Sequence, residues 1–136
     1  YSSGTPVILA GDLNVVPTDF DIYRPGWWRA DAVMQPEARE AYQRLLAQGW
    51  IDTARVLHPE ERMYTYWVSS DAYREGKGMR LDFVLVNAPL QSRVSAVGVD
   101  AEQRGGEKPS DHAPMWIAVA PQRKTPAGGR GSTSVS

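Results

Sequence analysis

Met79 to Asn87, "MRLDFVLVN", is the stretch whose reading decides the fold. In an extended chain alternate side chains share a face. Met79, Leu81, Phe83 and Leu85 then line one side, and Arg80, Asp82, Val84 and Val86 the other. Both sides are largely apolar, so the segment reads as a central strand covered on both faces. A central strand needs neighbours. "PVILA" (Pro6 to Ala10), "MYTYWVS" (Met63 to Ser69), "RVSAVGVD" (Arg93 to Asp100) and "MWIAVA" (Met115 to Ala120) are the β-branched and aromatic runs that supply them. "EGKG" (Glu75 to Gly78) reads as a turn.

One segment changes period. From Pro36 onward, Ala38, Ala41, Tyr42, Leu45 and Leu46 recur at helical spacing. Pro36 suits a first helical turn, Glu37 complements the helix dipole, and Gly49 suits the stop. Several strands with one helix, in no regular βαβ alternation, predict an α+β domain over residues 1–121. Residues 122–136 are rich in Gly, Ser and Thr, without a period, and read as a disordered tail.

The 136 residues suffice for one modest domain with a real core. The formal net charge of −1 gives no overall basic footprint for nucleic acid. The absence of cysteine excludes disulfides and thiolate metal sites. It is compatible with a reducing compartment, and a cytoplasmic location is expected. No apolar run is long enough to cross a bilayer, so no membrane partner is expected.

Asp82 raises the question of chemistry. An acid in a central strand is costly to bury without a partner. Arg80 is one candidate. The other is one of the two histidines. His58 precedes Pro59 in a charged loop and reads as solvated. His112 lies in "KPSDHAP" (Lys108 to Pro114), a proline-flanked loop before the last strand. An Asp82–His112 pair has the logic of a carboxylate orienting an imidazole. Adjacent side chains diverge, so Asp111 would face a cation while His112 turns toward substrate. "GDLN" (Gly11 to Asn14) follows the first strand. If extended, it points Asp12 and Asn14 the same way, to hold a hard cation or orient a water. The same residues also suit a plain Asx-type turn.

Taken together, "GDLNVVPTDFDIY", "QRLLAQGWIDTAR", "YTYW", "GMRLDFVLV" and "KPSDHAP" resemble the exonuclease III and abasic-site endonuclease group of the endonuclease/exonuclease/phosphatase superfamily. The resemblance runs from about Pro6 to Ala118. It implies the C-terminal half of a four-layered, DNase I-like α/β-sandwich that hydrolyses DNA phosphodiesters with Mg2+ or Mn2+. It implies Asp12 as general acid/base, Asn14 as a water and transition-state contact, and Asp82 as the residue orienting His112. His112 contacts the scissile phosphate. Asp12, Asn14, Asp111 and His112 form the metal set. Tyr66 and Met79 pack around the flipped abasic sugar. The implied partners are double-stranded DNA with abasic sites or 3′ ends, and the missing N-terminal half of the same fold, which supplies a metal-binding glutamate. No acidic residue precedes Gly11 here. Where the group often continues Trp-Asp-Tyr, this chain has Trp67, Val68 and Ser69.

Two other readings stand beside this one. "GDLN" and "KPSDHAP" also suit a superfamily phosphodiesterase or phosphatase acting on a lipid or small molecule. A non-catalytic DNA-binding module would have no need of Asp12, Asn14, Asp82, Asp111 and His112 together.

Overall fold

The computed structural model describes residues 4–101 and 111–121. Lys108 to Ser110 of the loop before the last strand, and the expected tail, lie outside the described residues. The elements run β1 (Ile8–Asp12), α1 (Pro36–Ala47), β2 (Ile51–Asp52), α2 (Thr53–Leu57), β3 (Tyr66–Trp67), α3 (Ser70–Arg74), β4 (Gly78–Met79), β5 (Asp82–Val86), α4 (Ala88–Gln91), β6 (Val94–Val99) and β7 (Met115–Val119). Three short 3-10 turns carry the chain from β1 to α1. None of the described helices is long and apolar enough to cross a membrane.

β5 is central, as its two apolar faces require. It pairs antiparallel with β1 on one side and with β2 on the other. Phe83 and Leu85 meet Tyr42, Ala38, Leu45 and Leu46 of α1, which gives the helix its buried stripe. Pro36 opens α1. Gly49 follows its C-cap with φ +105°, a conformation that favours glycine and ends the helix. β3 with β4, and β6 with β7, form two further antiparallel ribbons.

The expected strand from Met79 to Asn87 is not continuous. Met79 pairs with Tyr66 in the β3–β4 ribbon, whereas Asp82 begins the pairing with β1. The chain changes partners at Arg80 and Leu81. The four side chains predicted to share a face are all buried, but in two clusters. Met79 and Leu81 pack with Val16, Ile22 and Met34. Phe83 and Leu85 pack with Val15 and Tyr42.

Arg80 explains the change. Its side chain is 1% exposed. Its Nε donates to Asp21 Oδ1 at 2.8 Å and its Nη1 to Asp52 Oδ2 at 2.8 Å. Its backbone N–H donates to the Asp21 carbonyl at 2.9 Å. The Tyr42 hydroxyl donates to the same Asp52 oxygen. Burial by itself disfavours the Arg80 charge, but the charges of Asp52 and Asp21 and their hydrogen bonds outweigh it. Arg80 is therefore held more firmly protonated than usual, and it is not the partner of Asp82.

Candidate active site

Asp12 ends β1 and Asp82 starts β5, and the two are directly opposite in the ladder. The Leu13 N–H donates to the Leu81 carbonyl at 3.0 Å. Asp12 and Asp82 are then the neighbouring non-hydrogen-bonded pair, the geometry in which opposite side chains come closest. Gly11, just before, has φ +146°, which a residue with a Cβ rarely adopts. That backbone requirement accounts for the glycine of "GDLN".

His112 lies between the two acids. Its Nδ1 is 2.7 Å from Asp82 Oδ2, and its Nε2 is 3.6 Å from Asp12 Oδ2. An ionised carboxylate only accepts, so Nδ1 carries the hydrogen and donates it to Asp82. The 3.6 Å separation is too long for a hydrogen bond. Nε2 is thus the ring atom turned toward Asp12.

The loop that carries His112 is tied to β3. The Trp67 N–H donates to the Asp111 carbonyl at 3.1 Å, and the Ala113 N–H donates to the Thr65 carbonyl at 2.8 Å. Tyr66 and His112 form a β-bridge between these bonds. The Tyr66 ring stacks at a tilt against the imidazole, with centroids 5.0 Å apart. The expected substrate contact at Tyr66 is therefore half-buried beside the histidine.

Met79 is placed differently from the expectation. It is 3% exposed and belongs to the core beneath Tyr66. Its strand position opposite Tyr66 turns it inward, so it supports the Tyr66 ring instead of offering a substrate surface.

At Asn14 the structure takes the second of the two readings of "GDLN". The segment is not extended there. Asn14 has φ +50°, and its N–H donates to Asp12 Oδ1 at 2.8 Å. This is the Asx-type turn, in a left-handed conformation that asparagine tolerates. One oxygen of Asp12 holds the turn, and the other faces His112. Asn14 is exposed at the same end of β1, but strand alternation does not set its direction.

Among the described residues, Asp12, Asp82 and His112 form a group able to hold a metal, with ligand atoms all within 4.8 Å of one another. Asp111 is exposed and is not in that group. The two carboxylates are hard oxygen donors and fit a hard divalent cation. With Nδ1 held by Asp82, His112 offers Nε2, and a ligating histidine commonly gives its other N–H to a carboxylate in this way.

His58 is not solvated as expected. It is half-buried, with Nδ1 3.3 Å from Glu61 Oε1 and Nε2 3.2 Å from the Val97 carbonyl. Sequence reasoning missed Asp21, Asp52 and Thr65 as structural polar centres. All three are buried. Each lies in a quoted motif, "DFDIY", "GWIDTAR" or "YTYW", but nothing local to the chain announces its partner.

Residues 1–112 match the model of the Endonuclease/Exonuclease/phosphatase family. The chain belongs to that family. This family member is 36% identical over 124 residues to the exodeoxyribonuclease III of Haemophilus influenzae. The match covers 85% of this chain and 46% of the relative. The solved AP endonuclease of Archaeoglobus fulgidus has a TM-score of 0.80 at 33% identity, over 85% of this chain and 46% of that one. The 3′ phosphatase NExo (D146N) of Neisseria, solved with a product DNA hairpin, also has a TM-score of 0.80, at 33% identity over 84% of this chain and 45% of that one. The α+β fold is therefore the DNase I-like fold of the Endonuclease/Exonuclease/phosphatase family. The chain spans under half the length of each of these relatives.

Proposed function

We propose that this chain carries part of the active site of a DNA phosphodiesterase of the exodeoxyribonuclease III and AP endonuclease type. Its substrate is double-stranded DNA, cut at abasic sites or at 3′ ends. The observation that carries the reading is His112 set between Asp82 and Asp12, at 2.7 Å and 3.6 Å. That arrangement fixes one ring nitrogen and directs the other to the open end of β1. The names of the relatives above supply the substrate class.

In this reading Asp82 holds the imidazole through Nδ1, and Nε2 faces the scissile phosphate. In its doubly protonated form the ring keeps Nδ1–H on Asp82 and donates Nε2–H to a phosphate oxygen, where it stabilises charge that grows there. Asp12 accepts the proton of the attacking water as its oxygen bonds to phosphorus. That proton, or an equivalent one, leaves with the departing sugar oxygen as its bond to phosphorus breaks. Asn14 orients the water from the next position of the turn. Tyr66 forms one wall of the sugar pocket.

Asp12 is the carboxylate proposed to hold Mg2+ or Mn2+, with Asp111 as a further oxygen donor that lies outside the group of ligand atoms within 4.8 Å of one another. When bound, the cation supplies neutralisation of phosphate charge. The reading also requires the N-terminal half of the same fold as a partner, because the chain spans 46% of the length of exodeoxyribonuclease III of Haemophilus influenzae. The chain alone is then far slower than a polypeptide covering the full fold.

A labelled duplex with one abasic-site analogue tests the proposal. The chain, and a polypeptide joining it to the rest of the fold, are incubated with magnesium, with chelator, and as the His112→Ala variant. Strand cleavage at the analogue, lost with chelator and in His112→Ala, is expected. Cleavage that survives both changes overturns the reading, as does an inert full-length polypeptide.

A further inference from the structure

We propose that Thr65 is the positioning residue of the His112–Asp82 pair. Thr65 is fully buried. Its Oγ1 accepts from the N–H of Leu81 at 3.0 Å and from the N–H of Asp82 at 3.0 Å. Its carbonyl accepts from the Ala113 N–H at 2.8 Å, and its own N–H donates to the Met79 carbonyl at 3.0 Å. One residue thus grips the backbone of Asp82 with its side chain and the residue after His112 with its main chain.

The hydroxyl answers a need that the sheet leaves open. Asp82 is in a non-hydrogen-bonded pair with Asp12, so its N–H points away from β1. On that other side β2 reaches only Leu85 and Val86. No strand of the three supplies an acceptor at Asp82. A buried N–H needs one. Thr65 Oγ1 has two lone pairs and serves Leu81 and Asp82 together. It does so at the point where the chain leaves the β3–β4 ribbon for β5. The hydroxyl therefore sets where Asp82 begins β5, and the Thr65 carbonyl sets where His112 arrives. The 2.7 Å contact between Asp82 and His112 is the sum of these two attachments.

The consequence for catalysis rests on the functional reading above, but the test does not. The chain has only two histidines, so the ring protons of His112 are readily assigned by NMR. In the native chain the Nδ1 proton of His112 is expected as a distinct downfield resonance, kept by its bond to Asp82. Thr65→Ser retains the oxygen and keeps the resonance. Thr65→Val retains the shape, removes the acceptor, and loses the resonance. The His58 ring, which contacts Val97 in another ribbon, reports that the variant is folded and is expected to be unchanged. A folded Thr65→Val chain that keeps the downfield His112 proton overturns the proposal. A second measurement uses the native chain, so it decides even where Thr65→Val does not fold. The amides of Leu81 and Asp82 are expected to exchange at least about tenfold more slowly than those of exposed loop residues. Exchange as fast as the loops overturns the proposal. Neither readout depends on cleavage, so failure of the nuclease reading leaves this result standing, and the reverse.

Discussion

Asp12 and Asp82 face each other across β1 and β5 as a non-hydrogen-bonded pair, with the His112 ring between their carboxylates. Like charges directly opposite in a sheet destabilise it. The pair persists in this fold because an imidazole N–H answers one of the two acids. Stability and chemistry pull in different directions at this position.

That conflict gives a first prediction. Asp12→Asn removes one of the facing charges and still offers an oxygen to the Asn14 N–H, so the Asx-type turn survives. The folded state is expected to be as stable as the native one, or more stable by up to about 1 kcal/mol. DNA cleavage by the full-length form falls sharply. Urea unfolding and the abasic-duplex assay check the two halves, and a clear loss of stability contradicts the account of repulsion.

Asp82→Asn changes the group that holds Nδ1. An amide is no longer an acceptor-only partner, so the ring loses its fixed tautomer. Where such a pair is catalytic, the change lowers turnover on the order of 10³- to 10⁴-fold. Turnover on the abasic duplex measures this, with circular dichroism to show an intact fold. A drop of less than about tenfold removes Asp82 from the role of orienting residue.

Arg80 carries the largest stability effect predicted here. Arg80→Met leaves Asp21 and Asp52 buried and facing no guanidinium from that position. Breaking a buried ion pair from one side costs about 3–5 kcal/mol. Denaturant unfolding should show a midpoint shift of that size or a chain that does not fold. Asp21→Asn with Asp52→Asn and Arg80→Met together recovers part of the loss, because no lone charge then remains.

Acid should probe the same centre. Burial pushes the Asp21 carboxyl up, but the Arg80 charge and hydrogen bond, with the Thr18 hydroxyl and the Arg55 charge, carry it below its ordinary value of 3.8. The folded state therefore binds this proton less readily than the unfolded one. The stabilisation is fully present above the ordinary value and is lost as pH falls below it, through the folded-state value. Unfolding midpoints measured from pH 5 downward should decline less steeply in Asp21→Asn than in the native chain. An identical decline would assign acid unfolding to other groups.

For the cation, titration with Mn2+ should broaden NMR signals of Asp12 and His112 before those of Glu40 on α1. Asp12→Ala should weaken that response at least about tenfold, the loss expected when a hard-oxygen ligand is removed. Broadening centred elsewhere rejects this end of β1 as the cation site.

The amino-acid order by itself determined the elements whose period is local. The two apolar faces of Phe83 to Val86 made β5 central, and the stripe of Ala38, Tyr42, Leu45 and Leu46 made α1, closed by Gly49. It also marked Asp82 as an acid in need of a partner, with His112 as the better of two histidines. Tertiary structure decided the rest. Only the fold showed that the strand breaks at Arg80, that Met79 turns into the core, that Asn14 is left-handed, and that Thr65 ties β5 to the histidine loop. The physical reason is separation along the chain. A side-chain period reports which face is buried, within a few residues. The partner of a buried polar group is whatever the fold brings near: Asp21 reaches Arg80 across 59 positions, and Asp82 reaches His112 across 30. Asp21 and Arg80 left no local signature, because Asp21 taken alone looks like one more solvated side chain; Asp82 was legible only because it stands inside an apolar strand.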